Sequence, residues 1–311
     1  MSLAEFDDLY LAFAEAHAQR LSEATLTCRT KTPRQRAVGA GAKHRYDLRD
    51  RLLMTLFWLR VYVTYEVLGF LYDLNKTNIE DNLKGVLATL ERMTTFTLER
   101  PKAERPKLRS PQAVMDAFPA VRLVIDAKEQ RIQRPKSSKD AQGQRQDQQK
   151  PYYSGKKKAH TLKNQIAVRP DGRIEAVSDS VPGGATHDIT LLRRTDLLGE
   201  LAACEAAMLD KGAVKCTAYD GIQHDYPDVR LYQPYKARRN HPLNDAQKAY
   251  NRFLAGYRII VEQTLAQMNR FQVLVQLFRH NRGIHGQIVR IVAGLVNRCI
   301  QVRPLKTYAS A

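Results

Sequence analysis

The sequence predicts an α/β protein with a mixed sheet, preceded by an all-helical N-terminal region. Apolar residues recur at helical spacing through the first 96 residues. Short apolar runs of strand length fill the middle of the chain, and long helical patterns close it. Strands followed by a helix, two further strands and long helices give a mixed sheet with flanking helices. Between the two parts, residues 97–119 hold four prolines among Lys and Arg and read as a linker. The expected division is 1–96 helical domain, 97–119 linker, 120–280 α/β domain and 281–311 C-terminal helix and tail.

Residues 1–30 are expected to be helical, with Leu9, Phe13 and Leu21 among the apolar positions, and the basic stretch 31–47 to be a loop. From Asp47 the pattern is helical again through Leu48, Leu52, Leu53, Leu56 and Phe57. A short helix over Tyr65–Tyr72 is expected to bury Val67, Leu68 and Leu71. Asp73–Thr77 supplies a turn with capping residues, and a third helix over Asn78–Met93 carries Ile79, Leu83, Val86, Leu87 and Leu90 at helical spacing. Three helices with a tight turn between the second and third have the form of a helix-turn-helix, with Lys76, Thr77 and Asn78 as candidate DNA contacts. The same pattern suits a helical hairpin that only packs, and Glu80 and Asp81 disfavour close phosphate approach.

In the second part, Val121–Ile125 is an apolar strand ending at Asp126. Residues 127–159 are polar and irregular, with ten Lys/Arg against three Asp/Glu, and end in Lys156-Lys157-Lys158. Strands are expected over His160–Val168 and Arg173–Ser180, joined by the hairpin turn Arg169-Pro170-Asp171-Gly172. A helix begins near His187, strands follow over Ala213–Tyr219 and Val229–Tyr232, and a helix runs over Asp245–Phe271. A last amphipathic helix carries Ile284, Ile288, Ile291, Leu295 and Val296.

Composition narrows the partners. A formal charge of +18 and a pI near 9.8 favour a polyanion. No window approaches about 18 consecutive apolar residues, so no membrane-spanning helix is expected. The N-terminus lacks the basic and apolar regions of a signal peptide. Four scattered cysteines argue against a zinc ribbon or a disulfide framework and for a reducing cytoplasm.

Three acids stand out: Asp126 at a strand end, Asp188 at a helix start in Gly183-Gly184-Ala185-Thr186-His187-Asp188, and Glu262 inside a long helix. Carboxylates so far apart in sequence converge only through a fold. Beside fifty Lys+Arg, their expected use is to hold Mg²⁺ (or Mn²⁺) against a phosphodiester. Each has a plainer reading: a strand-end turn for Asp126, an N-terminal cap for Asp188, and an ion pair with Arg258 for Glu262. The basic stretch before His160 reads either as a solvated loop or as a phosphate contact that makes binding salt dependent.

Three segments carry a resemblance: Tyr153-Ser154-Gly155-Lys156-Lys157-Lys158 with His160-Thr161-Leu162-Lys163-Asn164-Gln165, Pro182–Asp188, and Arg258-Ile259-Ile260-Val261-Glu262. In combination and order they resemble the DDE transposases of bacterial insertion sequences related to the Harbinger superfamily, over about residues 45–280. The resemblance implies a ribonuclease H-like domain with a mixed five-stranded sheet and flanking helices, plus the N-terminal helix-turn-helix. It implies divalent-metal dependence and cut-and-paste movement of double-stranded DNA, at transposon ends and target. It further implies a homodimer or larger assembly, working in the cytoplasm at the nucleoid and not at a membrane. Asp126 and Glu262 match the family's catalytic acids, and Asp188 becomes an auxiliary metal ligand or a structural residue. Lys156, Lys157, Lys158, His160, Lys163 and Arg258 are the expected DNA contacts of this domain. Tyr219, Gly221 and Ile222 fit the motif around the second catalytic Asp, which puts Cys216 there. A thiol is a poor ligand for Mg²⁺. Asp210, in Leu209-Asp210-Lys211-Gly212, takes the place instead if residues are inserted before Tyr219, and Asp220 is a further candidate. Asn269 stands seven residues after Glu262 where the family often has Lys, with Arg270 beside it. The resemblance leaves two functions open: an active transposase, or a catalytically silent DNA-binding protein derived from one.

Overall fold

The computed structural model describes residues 1–26, 44–93, 123–136, 138–139, 145–146, 149–169, 172–184, 186, 188–195, 206–209, 230–232, 235 and 242–303. It is a mixed α/β fold with an N-terminal helical region. The helices α1 (Leu3–Leu26), α2 (Leu48–Val61), α3 (Tyr65–Tyr72) and α4 (Lys76–Arg92) follow the apolar spacing. Three of them start on a capping side chain. The Asp47 carboxylate accepts from the Asp50 N–H at 2.8 Å, the Thr64 hydroxyl from Val67 at 3.4 Å, and the Asn75 carbonyl from Asn78 at 2.8 Å. Such oxygens satisfy donors that the helix itself leaves unpaired. The Asn75 cap starts α4 two residues before the expected Asn78, so Lys76 and Thr77 lie in its first turn rather than in the preceding one.

α4 packs against α1, α2, α3 and the last helix, and Ile79, Leu83, Val86, Leu87 and Leu90 are buried as expected. The expected burial in α3 is corrected. Leu68 is buried, but Val67 and Leu71 are 46% and 55% exposed. Eight helical residues offer one stripe to α4, formed by Tyr65, Leu68, Gly69 and Tyr72 at spacings of three and four; Val67 and Leu71 fall outside it.

The strands are β1 (Leu123–Arg131), β2 (Ser138–Lys139), β3 (Arg145–Gln146), β4 (Tyr153–Ser154), β5 (Ala159–Val168), β6 (Ile174–Val177), β7 (Val181–Pro182), β8 (Ala206–Leu209) and β9 (Arg230–Tyr232). β2 and β3 form a separate antiparallel ribbon. In the main sheet β5 pairs antiparallel with β1 on one edge. Along its other edge β6, β7 and β4 follow one another. β8 lies parallel to β1, and β9 parallel to β8. The hairpin after β5 closes as expected, with the Gly172 N–H donating to the Arg169 carbonyl at 2.9 Å and Gly172 at φ 86°.

Three strand expectations change. β1 does not stop at Ile125; it continues through Asp126 to Arg131 because every residue from Val124 to Arg131 faces a partner on β5. The stretch expected to be irregular thus contributes the second half of β1 as well as β2, β3 and β4. The strand beside β1 is Ala206–Leu209, earlier than the expected Ala213–Tyr219, which lies outside the described residues.

Asp126 pairs with Ile166, so even-numbered residues of β1 and β5 share one face of the sheet and odd-numbered residues the other. α6 (Asp245–Asn269) and α7 (His285–Val302) cover the even face, where the Gln130 amide donates to the Val273 carbonyl at 2.7 Å and contacts His285 at 2.9 Å. α5 (Asp188–Thr195) covers the odd face, where the Gln165 amide donates to the Asp188 carbonyl at 2.7 Å. Leu52, Trp58, Leu83, Ile166, Met268 and Val292 belong to one apolar cluster, so the helical region and the even face share a core. Among the described residues no helix is long and apolar enough to cross a membrane.

Candidate active site

On the even face β1 presents Asp126, Lys128 and Gln130 in succession. Asp126 is half-buried and its carboxylate accepts the Ala127 N–H at 2.7 Å. Beside it, Ile125 is paired in parallel register with Leu209, the last residue of β8. The Lys128 ammonium donates to the side-chain carbonyl of Asn269 at the end of α6. Burial, and secondarily the positive charge of Lys157, push the Lys128 ammonium down to about 8.

α6 begins at a reciprocal capping box between Asn244 and Gln247. Val261, Thr264 and Met268 form its buried seam, and the Thr264 hydroxyl donates to the Gly172 carbonyl at 2.9 Å. Glu262 is exposed beside this seam. The helix runs in the direction of β1. Thr264 sits at the β5–β6 turn, level with the start of β1; Asn269 meets Lys128; and the Phe278 N–H donates to the Arg131 carbonyl at 2.8 Å. The level of Asp126 therefore falls between Thr264 and Asn269. Glu262 precedes Thr264 by two residues, about 3 Å of axial rise.

Asp188 lies on the other face. Its carboxylate accepts the Lys163 ammonium at 2.9 Å, which also pairs with Glu129 at 3.2 Å and donates to the Thr186 carbonyl at 2.9 Å. The glycines before Asp188 let this segment close onto the sheet. A Cβ at Gly183 would stand 2.1 Å from the Thr161 hydroxyl, and one at Gly184 2.1 Å from the Tyr153 carbonyl. Asp126 and Asp188 thus belong to opposite faces and are not brought together. Lys163, an expected DNA contact, has a side chain only 7% exposed. The β1–β5 register seats it directly opposite Glu129.

Lys156, Lys157 and Lys158 are exposed in the turn between β4 and β5, with Lys158 in the left-handed region at φ 47°. His160 is half-buried, its ring edge-on to Tyr153 at 5.6 Å. Lys76, Thr77 and Asn78 are exposed on the first turn of α4, where Lys76 pairs with Glu66 at 2.7 Å. Arg258 lies in α6, but its side chain, like Asp210, Cys216 and Asp220, lies outside the described residues. Among the described residues no three His, Cys, Asp or Glu side chains form a metal-binding group.

Residues 125–297, more than half the chain, match the family described as DDE superfamily endonuclease. The chain belongs to the DDE superfamily of endonucleases. The matched span of this DDE endonuclease runs from β1 through most of α7. The chain is also 26% identical over 259 residues, 83% of its length and 82% of the relative's, to the probable transposase for insertion sequence element IS702 of Microchaete diplosiphon. It is thus a DDE transposase of the insertion-sequence class, and its superfamily works with divalent metal ions. The donors fit that requirement, since the carboxylate oxygens of Asp126 and Glu262 suit a hard cation while the thiol of Cys216 does not.

Sequence reasoning missed two features of the even face. One is the bond between Lys128 and Asn269. Its signal lay in spacing, two residues after Asp126 and seven after Glu262. The other is a polar chain in which His285 contacts Gln130 at 2.9 Å and Ser180 at 2.6 Å, and the Asn164 amide donates to Ser180 at 2.9 Å. Burial, then the charge of Lys128, push His285 down to about 4, so its ring is neutral at physiological pH. This chain ties β1, β5 and α7 together on the even face.

Proposed function

We propose that the protein cleaves DNA strands at the terminal inverted repeats of its insertion sequence and transfers them to target, with divalent metal held by Asp126, Asp210 and Glu262. One observation carries the choice of Asp210: Ile125 pairs with Leu209 in parallel register, and Asp126 and Asp210 are the residues that follow each in sequence. Cys216 comes six residues later and is left without a metal role. Asp188, engaged with Lys163 on the other face, is a structural residue in this reading. A ribonuclease H-like fold is supported by the strand order, with β6, β5 and β1 antiparallel and then β8 and β9 parallel to β1.

Bound by the three carboxylates, Mg²⁺ or Mn²⁺ supplies activation of the attacking water or 3′-hydroxyl and charge stabilisation at the leaving oxygen. The chain's own contribution is to fix Asp126 on a central strand and Glu262 on a long helix, both rigid elements, with Asp210 next in sequence after the strand parallel to the first. Lys156, Lys157 and Lys158 hold the DNA backbone, assisted by His160 and Arg258. The helical region 1–96 is the proposed DNA-binding domain, joined by linker 97–119 to the catalytic domain 120–280 and the C-terminal segment 281–311. In it α2–α4 act as a helix-turn-helix whose exposed first turn, Lys76, Thr77 and Asn78, meets the repeat. Assembly as a dimer or larger on double-stranded DNA, at the nucleoid, completes the reading.

The test is cleavage of DNA carrying the element's own ends. The natural chain is expected to cut in Mg²⁺ or Mn²⁺, and Asp126→Asn and Glu262→Gln each to lower the rate by about 10³-fold while still binding the ends. A natural chain that binds the ends and cuts in neither metal is instead the silent DNA-binding protein, the reading that Cys216 favours. Replacing Lys156, Lys157 and Lys158 together by Gln is expected to flatten the slope of log affinity against log salt by about 2 to 3, near 0.9 per lost phosphate contact.

A further inference from the structure

We infer that Lys128 is a phosphodiester-binding residue of this site, its ammonium aimed by the side chain of Asn269. The inference deepens the proposed function and rests on the reading of Asp126 and Glu262 as metal ligands. Lys128 follows Asp126 by two residues on the even face of β1, and Asn269 follows Glu262 by seven on α6. Seven residues are about two helical turns, which returns Asn269 to the side of the helix that carries Glu262. The single bond between Lys128 and Asn269 therefore joins the two elements bearing the candidate metal ligands.

The chemistry of that bond leaves the charge intact. An ammonium has three N–H donors, and the neutral carbonyl of Asn269 takes one. Among the described residues no carboxylate forms an ion pair with Lys128. By contrast Lys163, on the opposite face, is neutralised by Glu129 and Asp188. A half-buried cation without an anion is costly to keep. A phosphate oxygen arriving beside Asp126 supplies the missing anion through a charge-assisted hydrogen bond. Asn269 spends no charge in orienting the ammonium, so its full attraction is available to the DNA.

The probe is a duplex of the element's end joined to flanking DNA, with the junction phosphate either natural or replaced by an uncharged methylphosphonate. Binding is measured without divalent metal, so that only protein cations sense the difference. The natural full-length chain is expected to bind the neutral probe about tenfold more weakly, and Lys128→Gln to bind both probes equally. The double variant Lys128→Asn with Asn269→Lys, which returns the ammonium from the helix side, is expected to restore the tenfold ratio. Discrimination retained by Lys128→Gln overturns the inference, as does its absence in the natural chain. If Lys128→Gln does not fold, the exchanged pair decides: folded without discrimination, it overturns the inference. A mere tether between β1 and α6 would lower thermal stability and leave the ratio untouched. Cleavage by Glu262→Gln is followed separately on the natural probe. Undiminished cutting there refutes the metal-ligand reading, whatever the binding ratio says of Lys128.

Discussion

Replacing Asp210 by Asn is expected to lower metal-dependent strand cleavage by at least about 10³-fold, whereas Cys216→Ser leaves it within about twofold. The argument is one of register. β8 ends at Leu209 opposite Ile125, and in parallel strands the residues after a paired couple advance together. Asp126 follows Ile125 and Asp210 follows Leu209 in sequence, and this is what supports Asp210 as the second carboxylate. Asn keeps the size and shape of Asp but removes its charge, so a loss of cutting with retained DNA binding isolates the metal role. Cys216 is separated from Leu209 by Asp210 and five further residues, and its thiol has no affinity for a hard cation to lose. The comparison is made by rates of cutting of the element's end DNA at saturating Mg²⁺, with a Mn²⁺ titration beside it. The opposite pattern, a silent natural chain that starts to cut as Cys216→Asp, would move the second ligand to position 216.

The contrast between Asp210 and Cys216 also marks where the sequence stops being readable. The helices of the N-terminal region were legible because their signals are local. Apolar residues at spacings of three and four, opened by Asp47 or Asn75, specify α2 and α4 without reference to the rest of the chain. The second half of β1 was not legible, since Lys128, Glu129 and Gln130 read as part of a polar loop after Asp126. Their partners are distant: Lys128 meets a residue 141 positions away and Gln130 one 143 positions away. β8 was missed because Ala206-Ala207-Met208-Leu209 has no period that separates strand from helix. The candidate acids were singled out by motif order, yet order carries no information about sheet faces. Only the β1–β5 register shows that Asp188 and Asp126 are on opposite sides, and a slip of one residue would reverse that.

The two faces consequently carry different kinds of charge. On the even face Asp126 and Lys128 lie under α6, and the amide of Asn269 leaves the lysine charge unspent. On the odd face Glu129, Lys163 and Asp188 satisfy one another beneath α5. Motifs that are continuous in sequence are split by this arrangement. The run His160–Gln165 sends Lys163 inward to the ion-paired side, while Lys156, Lys157 and Lys158 remain in the exposed turn before it.

That split predicts opposite outcomes for lysines only a few residues apart. Lys163→Met is expected to destabilise the fold by about 3 kcal/mol and to leave the salt dependence of DNA binding unchanged. Methionine fills the space of the lysine stem but strands two carboxylates and the Thr186 carbonyl, which lose their shared donor. Glu129 bears most of the penalty, since its side chain is 11% exposed against 27% for Asp188. Water reaching Asp188 holds the effect to the lower end of the range for a broken buried pair. For a cooperative unit of about 150 to 250 residues, a loss of this size lowers the melting temperature by roughly 6 to 12 °C. Thermal unfolding of Lys163→Met beside the triple Lys156, Lys157 and Lys158 variant reads both effects. The triple variant should melt with the natural chain and bind DNA with a flattened salt slope. A Lys163→Met chain that melts normally and shows the flattened slope would mean that this ammonium leaves Glu129 and Asp188 for the DNA backbone. Asp188 would then lose its only described counter-charge in the complex, and its assignment as structural would fall with the prediction.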